Sequence, residues 1–218
     1  MTPPNTTKEN GPTKILIIGA SYAGLAAGLN LLDLCQGRSA RFSSRDSSSS
    51  SSSSVAEKQD GTLGVKSEVL IKIVDERDGF YHLIGTPLAL ASTTYASKAW
   101  HTISSIPALH DPSISFLQGS AIHINPSTKT ATVKLATSNA GKEGDEIEEG
   151  YDFLVAASGL RRKWPTVPQS LTREEYLREC KGHIEKVTSG ETKEMGGVVV
   201  VGGGSSILPS PLSHFPFL

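Results

Sequence analysis

Cysteine is scarce. The chain has two in 218 residues, Cys35 and Cys180. They stand too far apart for a CxxC pair or a metal-ligand cluster. A disulfide-stapled fold and a redox dithiol are therefore excluded, and two unpaired thiols fit a reducing compartment. Neither sign of charge dominates: 21 Lys and Arg face 22 Asp and Glu, for a net −1. Nothing in that balance recruits nucleic acid. No apolar run approaches the roughly 20 residues that span a bilayer. The opening Met1-Thr2-Pro3-Pro4-Asn5 has neither the apolar core of a signal peptide nor an Arg-rich presequence. These absences predict a cytoplasmic chain with no transmembrane segment.

The apolar fraction, 37%, is low for a globular chain, and serine explains part of the deficit. Residues 43–54 are serine-rich and include eight consecutive serines, Ser47 to Ser54. Such composition cannot bury enough apolar surface to offset its ordering entropy. The expectation is a disordered insertion over 37–67 and a flexible tail over 1–13. About 150 residues remain, enough for one core.

Lys14-Ile15-Leu16-Ile17-Ile18 reads as a central parallel strand buried on both faces. Tyr22 to Leu34 follows at helical spacing, with Leu25, Leu29 and Leu32 along one side. Val69 to Val74 reads as a second strand ending at Asp75, and residues 116–124 as another. Thr130 to Leu135 alternates like a half-exposed strand. Residues 137–150 read as a charged loop, 151–157 as a buried strand, 171–187 as a helix and 197–201 as a final core strand.

Between the first strand and its helix lies Gly19-Ala20-Ser21-Tyr22-Ala23-Gly24, the context a dinucleotide fingerprint requires. Gly19 permits the tight turn. Ser21 replaces the usual second glycine, so a pyrophosphate meets a small side chain there. Gly24 and Gly28 let the helix pack close to the strand, and the helix start offers amides and partial positive charge to phosphates. The fingerprint also calls for an acid about 20 residues on, at the end of the next strand. Asp75 lies 51 residues beyond Gly24, and leaving out the low-complexity insertion restores the spacing. Asp75 is the candidate for the ribose hydroxyls. Gly19-Ala20-Ser21-Tyr22-Ala23 also comes near the G-x-S-x-G nucleophile elbow. Ala23 fills its last glycine position, and no histidine or acid stands in a distinctive companion motif.

With this loop, Asp75 and Ala157-Ser158-Gly159 at a strand end, the chain resembles the apoptosis-inducing-factor-like flavoproteins with two dinucleotide-binding domains. It is most similar to their mitochondrion-associated and ferroptosis-suppressor branch. The resemblance implies an α/β, Rossmann-like FAD-binding domain over 14–196, with a parallel sheet and a small antiparallel meander. It puts Gly19, Ala20, Ser21, Tyr22, Ala23 and Gly24 around the FAD pyrophosphate and Asp75 at the ribose. It sets the backbone of Ala121, in Gln118-Gly119-Ser120-Ala121, against the adenine. Asp75-Glu76-Arg77-Asp78-Gly79-Phe80-Tyr81-His82 matches the run that leads toward the flavin. The implied reaction takes a hydride from NAD(P)H to flavin and on to a small acceptor such as a quinone, which is compatible with peripheral attachment to a membrane.

The chain departs from that pattern at its end. Gly202-Gly203-Gly204-Ser205-Ser206 starts like the NAD(P)H loop, but Ile207 takes the third fingerprint position. Pro209, Pro211 and Pro216 oppose the helix that should follow. Residues 197–218 are thus expected to be a second Rossmann domain truncated at its first strand, leaving a weakly active or inactive FAD-binding portion. The alternative is a dinucleotide-binding or interaction module without turnover.

Overall fold

The computed structural model describes residues 11–42, 66–136, 144–160 and 162–197. In chain order the elements are β1 (Thr13–Ile18), α1 (Tyr22–Cys35), β2 (Val69–Asp75), β3 (Gly79–Tyr81), α2 (Thr86–Ala89), α3 (Thr93–Ala99) and β4 (Trp100–Thr102). They continue with β5 (Ile114–Asn125), β6 (Thr130–Leu135), β7 (Glu146–Gly150), β8 (Phe153–Ala156), α4 (Arg173–Thr188) and α5 (Gly190–Glu194). Contacts divide them into two units. One takes Met1–Asp75 with Ala108–Ser158, the other Glu76–Pro107 with Gly159–Leu218.

The first unit is built on a six-stranded sheet in the order β7-β6-β5-β2-β1-β8. β5, β2, β1 and β8 run parallel, while β5, β6 and β7 form an antiparallel meander. β1 and β2 are isoleucine-rich because each has a neighbour on both sides and cover on both faces. Ile17, Ile71 and Ile73 pack beneath α1 at Gly28, and Ile15 is buried on the same face of β1. Leu16 and Val74 face the other way and join Ala131 and Val133 of the meander, with Leu117, Ile147, Tyr151 and Leu154 around them. The chain thus has the Rossmann-like α/β architecture its sequence predicts, including the small meander.

The second unit holds the short antiparallel pair β3-β4 and its own core of Tyr81, Ala89, Leu90, Ala96, Ala99, Trp100, Tyr176 and Cys180. Tyr176 lies 5.1 Å from both other large rings, stacked on Trp100 and edge-on to Tyr81. The Trp100 indole N–H donates to Asp78 Oδ1 at 2.7 Å. α4 opens with a capping box: the Glu175 amide donates to Thr172 Oγ1, and the Glu175 carboxylate accepts from the Thr172 amide.

Two expectations need correction. The strand expected to be buried over 151–157 is β8, which ends the sheet among the described residues and leaves Phe153 63% exposed, because β1 covers it on one side only. Residues 146–150, read as part of a charged loop, form strand β7. Glu146-Ile147-Glu148-Glu149 has one apolar side chain, too few to reveal an alternation. Pairing with β6 turns Ile147 toward the core beside Val133, and Glu149 is held there by Lys72 Nζ at 2.7 Å. The serine tract, the strand expected over 197–201 beyond Gly197, the glycine run and the proline-rich end all lie outside the described residues. Residues 37–42 are described, and they fold back on α1. Arg38 and Arg41 both pair with Asp33, each with a contact of 2.6 Å.

Candidate functional site

The glycine loop sits where three parallel strands end. The Gly19 amide donates to Val74 O of β2, and the Ala157 amide, just past β8, donates to Ile18 O of β1, both at 2.8 Å. Gly19 takes φ +109°, a conformation that L side chains rarely adopt, and a Cβ there would collide with Ala157 O. At Gly24 a Cβ would collide with Gly19 O. At Gly28 it would press against Ile17 Cδ1 at 3.3 Å. Backbone therefore lines the turn where side chains cannot fit. This is a cradle at the carboxyl ends of the strands, the place where open α/β sheets take ligands.

Ser21 is the N-cap of α1, in extended conformation, and its side chain makes no cap hydrogen bond. The first intrahelical bond runs from the Leu25 amide to Ser21 O. Amides that open a helix have no intrahelical acceptor, and α1 has no acid in its first turn. The helix end keeps its partial positive charge for an anion. By contrast, Ser92 caps α3 with its own side chain, and Thr172 caps α4 beside Glu174 and Glu175.

Asp75 reaches into the same loop. Its Oδ2 accepts the Ala20 amide at 2.7 Å. Ala20 is 2% exposed, so that carboxylate satisfies a buried donor and fixes the loop against the end of β2. A carboxylate has about four lone-pair sites, so Asp75 can hold the loop and also accept from a hydroxyl of a bound sugar. The structure brings Gly19, Ala20, Ser21, Tyr22, Ala23, Gly24 and Asp75 together over the ends of β1, β2 and β8. Ala121 lies on β5, three residues past Gln118, the register partner of Asp75. That is roughly 10 Å further along the strand.

The run after Asp75 lies in the second unit and has structural partners there. Arg77 Nη2 donates to Pro168 O at 3.1 Å, and Asp78 Oδ2 accepts the Arg173 amide at 3.2 Å. The His82 amide donates to Ala99 O at 2.7 Å. Arg162 and Lys163 are exposed. Trp100 is a packing residue, 2% exposed. Among the described residues no cluster of His, Cys, Asp or Glu could hold a metal, and no helix is long and apolar enough to cross a membrane. Ser21 has no histidine partner among the described residues, so the elbow reading gains nothing.

Two features near the loop were not read from the sequence. β5 bulges between Ala121 and His123, with Ile122 as the extra residue. Just before the bulge, a Cβ on Gly119 would meet Lys134 O at 2.6 Å. A glycine inside a strand is the available signal for such a close approach.

No family model matches the chain. A protein of Ajellomyces capsulatus called oxidoreductase OXR1 is 49% identical over 202 residues, which are 92% of this chain and 40% of that protein. The chain thus spans about two-fifths of that relative's length. Among solved structures, the reduced CoADR-RHD of Bacillus anthracis is similar with a TM-score of 0.51 and 16% identity, over 81% of this chain and 27% of that one. NDH2 of Plasmodium falciparum, solved in complex with NADH, is similar with a TM-score of 0.50 and 12% identity, over 83% of this chain and 31% of that one. At that identity the two structures share the fold with this chain.

Proposed function

We propose that this chain is the FAD-binding portion of an NAD(P)H-dependent oxidoreductase. The reading rests on one observation above all: the Asp75 carboxylate holds the Ala20 amide inside a loop where Gly19 and Gly24 leave no room for a Cβ. The residues fit the group. The amides opening α1 would face the pyrophosphate, with Ser21 Oγ beside them, and Asp75 would accept from the adenosine ribose. Ala121 would set its backbone near the adenine. When bound, FAD supplies a hydride acceptor that can return electrons singly or in pairs.

What the chain's own residues do is bind and orient. The α1 N-terminus offsets phosphate charge at a site enclosed by backbone. Asp75 fixes the sugar through the same carboxylate that shapes the loop. No residue in this loop is assigned a proton to transfer.

The 49% identity to a protein called an oxidoreductase supports the reaction class, and likeness to NDH2 bound to NADH fits NAD(P)H as donor. Within that class we assign the chain to the apoptosis-inducing-factor-like branch, with a quinone-type acceptor and a cytoplasmic location, peripheral to a membrane where the acceptor is lipid-soluble. A second reading, a dinucleotide-binding module without turnover, rests on the same loop, where backbone and one carboxylate line the cradle and no proton-transferring residue is assigned.

Purified protein decides between them. A flavin absorbance band together with NADH-dependent dye reduction supports the first reading. Colourless protein that still binds ADP supports the second. Asp75→Ala leaves the buried Ala20 amide without its acceptor, at a cost of about 1–3 kcal/mol. Bound flavin should then fall at least about tenfold. Full flavin retention in that variant would remove Asp75 from the site.

A further inference from the structure

The core of the second unit stacks three oxidisable rings, and they differ in where their protons can go. Trp100 lies on Tyr176 with ring centroids 5.1 Å apart, and Tyr81 lies 5.8 Å from Trp100. All three are at most 5% exposed. A ring in such a place gives up an electron readily only if its acidic proton leaves too. Otherwise an unpaired cation stays behind in an apolar core.

The two phenols have no base to receive that proton. Thr86 Oγ1 donates to Leu83 O at 2.6 Å, so in its 2.8 Å bond with Tyr81 it is the acceptor. A threonine hydroxyl is no base at neutral pH. The Tyr176 hydroxyl is buried with no hydrogen-bond partner among the described residues. Burial pushes both phenols up, Tyr81 to about 12. Trp100 differs. Its indole N–H donates to Asp78 Oδ1 at 2.7 Å, and the other oxygen of that carboxylate accepts the Arg173 amide. Gly79 leaves room for this bond, since a Cβ there would collide with Trp100 Nε1. Tyr95 and Trp164, both half-buried, pack against the cluster from its margin.

We infer that Trp100 is a one-electron donor, the residue where an oxidising equivalent entering this core comes to rest. The oxidant is a diffusible radical of the peroxyl class, which meets the cluster at Tyr95 or Trp164. One electron passes from the indole through that residue to the peroxyl radical, which becomes a hydroperoxide anion. The Nε1 proton moves to Asp78 Oδ1, leaving a neutral indolyl radical beside a carboxylic acid. A reductant of the ascorbate class returns the electron, and Asp78 returns the proton. This assignment is independent of the cofactor reading.

Flash oxidation of the whole chain by photogenerated ruthenium(III) tris-bipyridine tests it. Transient absorbance should show a neutral indolyl radical that forms more slowly in heavy water. Peptide mapping after longer exposure should find oxidation at Trp100 ahead of Trp164. Asp78→Asn should convert the signal to the protonated radical. The isotope effect and the map need no variant, so they decide even if Asp78→Asn does not fold. A lasting phenoxyl radical, oxidation confined to Trp164, or equal rates in light and heavy water would each overturn the inference. So would an unchanged neutral radical in folded Asp78→Asn.

Discussion

A Cβ at Gly24 has nowhere to go, because Gly19 O already occupies its position. Alanine is a good helix former and would suit α1 by propensity alone. Here the close approach of helix to strand decides against it. Gly24→Ala should destabilise the protein by about 1–3 kcal/mol, read by thermal melting, and should lower bound flavin more than the melting change explains. Unchanged melting would mean that the helix can lift off the strand. Asp33 is a residue-scale case of a different kind. Its side chain is nearly buried, and the Arg41 hydrogen bond, reinforced by Arg38 and opposed by burial, holds its carboxyl down to about 2. The folded value lies below the ordinary one near 4. The stabilisation is therefore present above about pH 4 and is lost as pH falls toward 2. Asp33→Asn should cost roughly 1–2 kcal/mol at pH 7. Denaturant melts should show that gap closing between about pH 4 and pH 2, and a gap independent of pH would deny the ion pairs this role.

The helix starts divide the labour among elements. α4 closes its own N-terminus through Thr172 and Glu175, with Glu174 adding charge of the favourable sign. α1 has no side-chain cap at Ser21 and no acid in its first turn. Thr172→Ala should therefore cost about 1 kcal/mol in urea unfolding, with no change in flavin affinity. A loss of flavin in that variant would show that α4 acts on the site. β7 shows how an element escapes notice. Its strand character comes from its partner: β6 supplies the hydrogen bonds and the buried Val133 against which Ile147 packs.

For the whole molecule, the cradle, Asp75 and β8 all belong to the unit made of Met1–Asp75 and Ala108–Ser158. A ligand that binds the folded state alone stabilises it by mass action. FAD at about 100 times its Kd should add about 2.7 kcal/mol. The added protection should fall on amides of β1, α1 and β2, measured by hydrogen exchange with and without FAD. Protection confined to the Tyr81–Trp100–Tyr176 core would place binding elsewhere. Trp100 and Tyr176, more than 70 residues apart in sequence, are stacked at 5.1 Å, and no local pattern pairs them.

The sequence by itself determined the parallel strands, the glycine loop, the first helix and the place of Asp75 at the end of the second strand. Each is written in local terms: apolar runs that need cover on both faces, glycines where backbone approaches backbone, and an acid at a strand end. Tertiary structure alone decided the rest. Strand order made β8 an edge with Phe153 exposed. Pairing turned an acidic stretch into β7, and folding back on α1 brought Arg38 and Arg41 onto Asp33. Those outcomes depend on which distant segment becomes a neighbour, and local periodicity and composition carry no record of that.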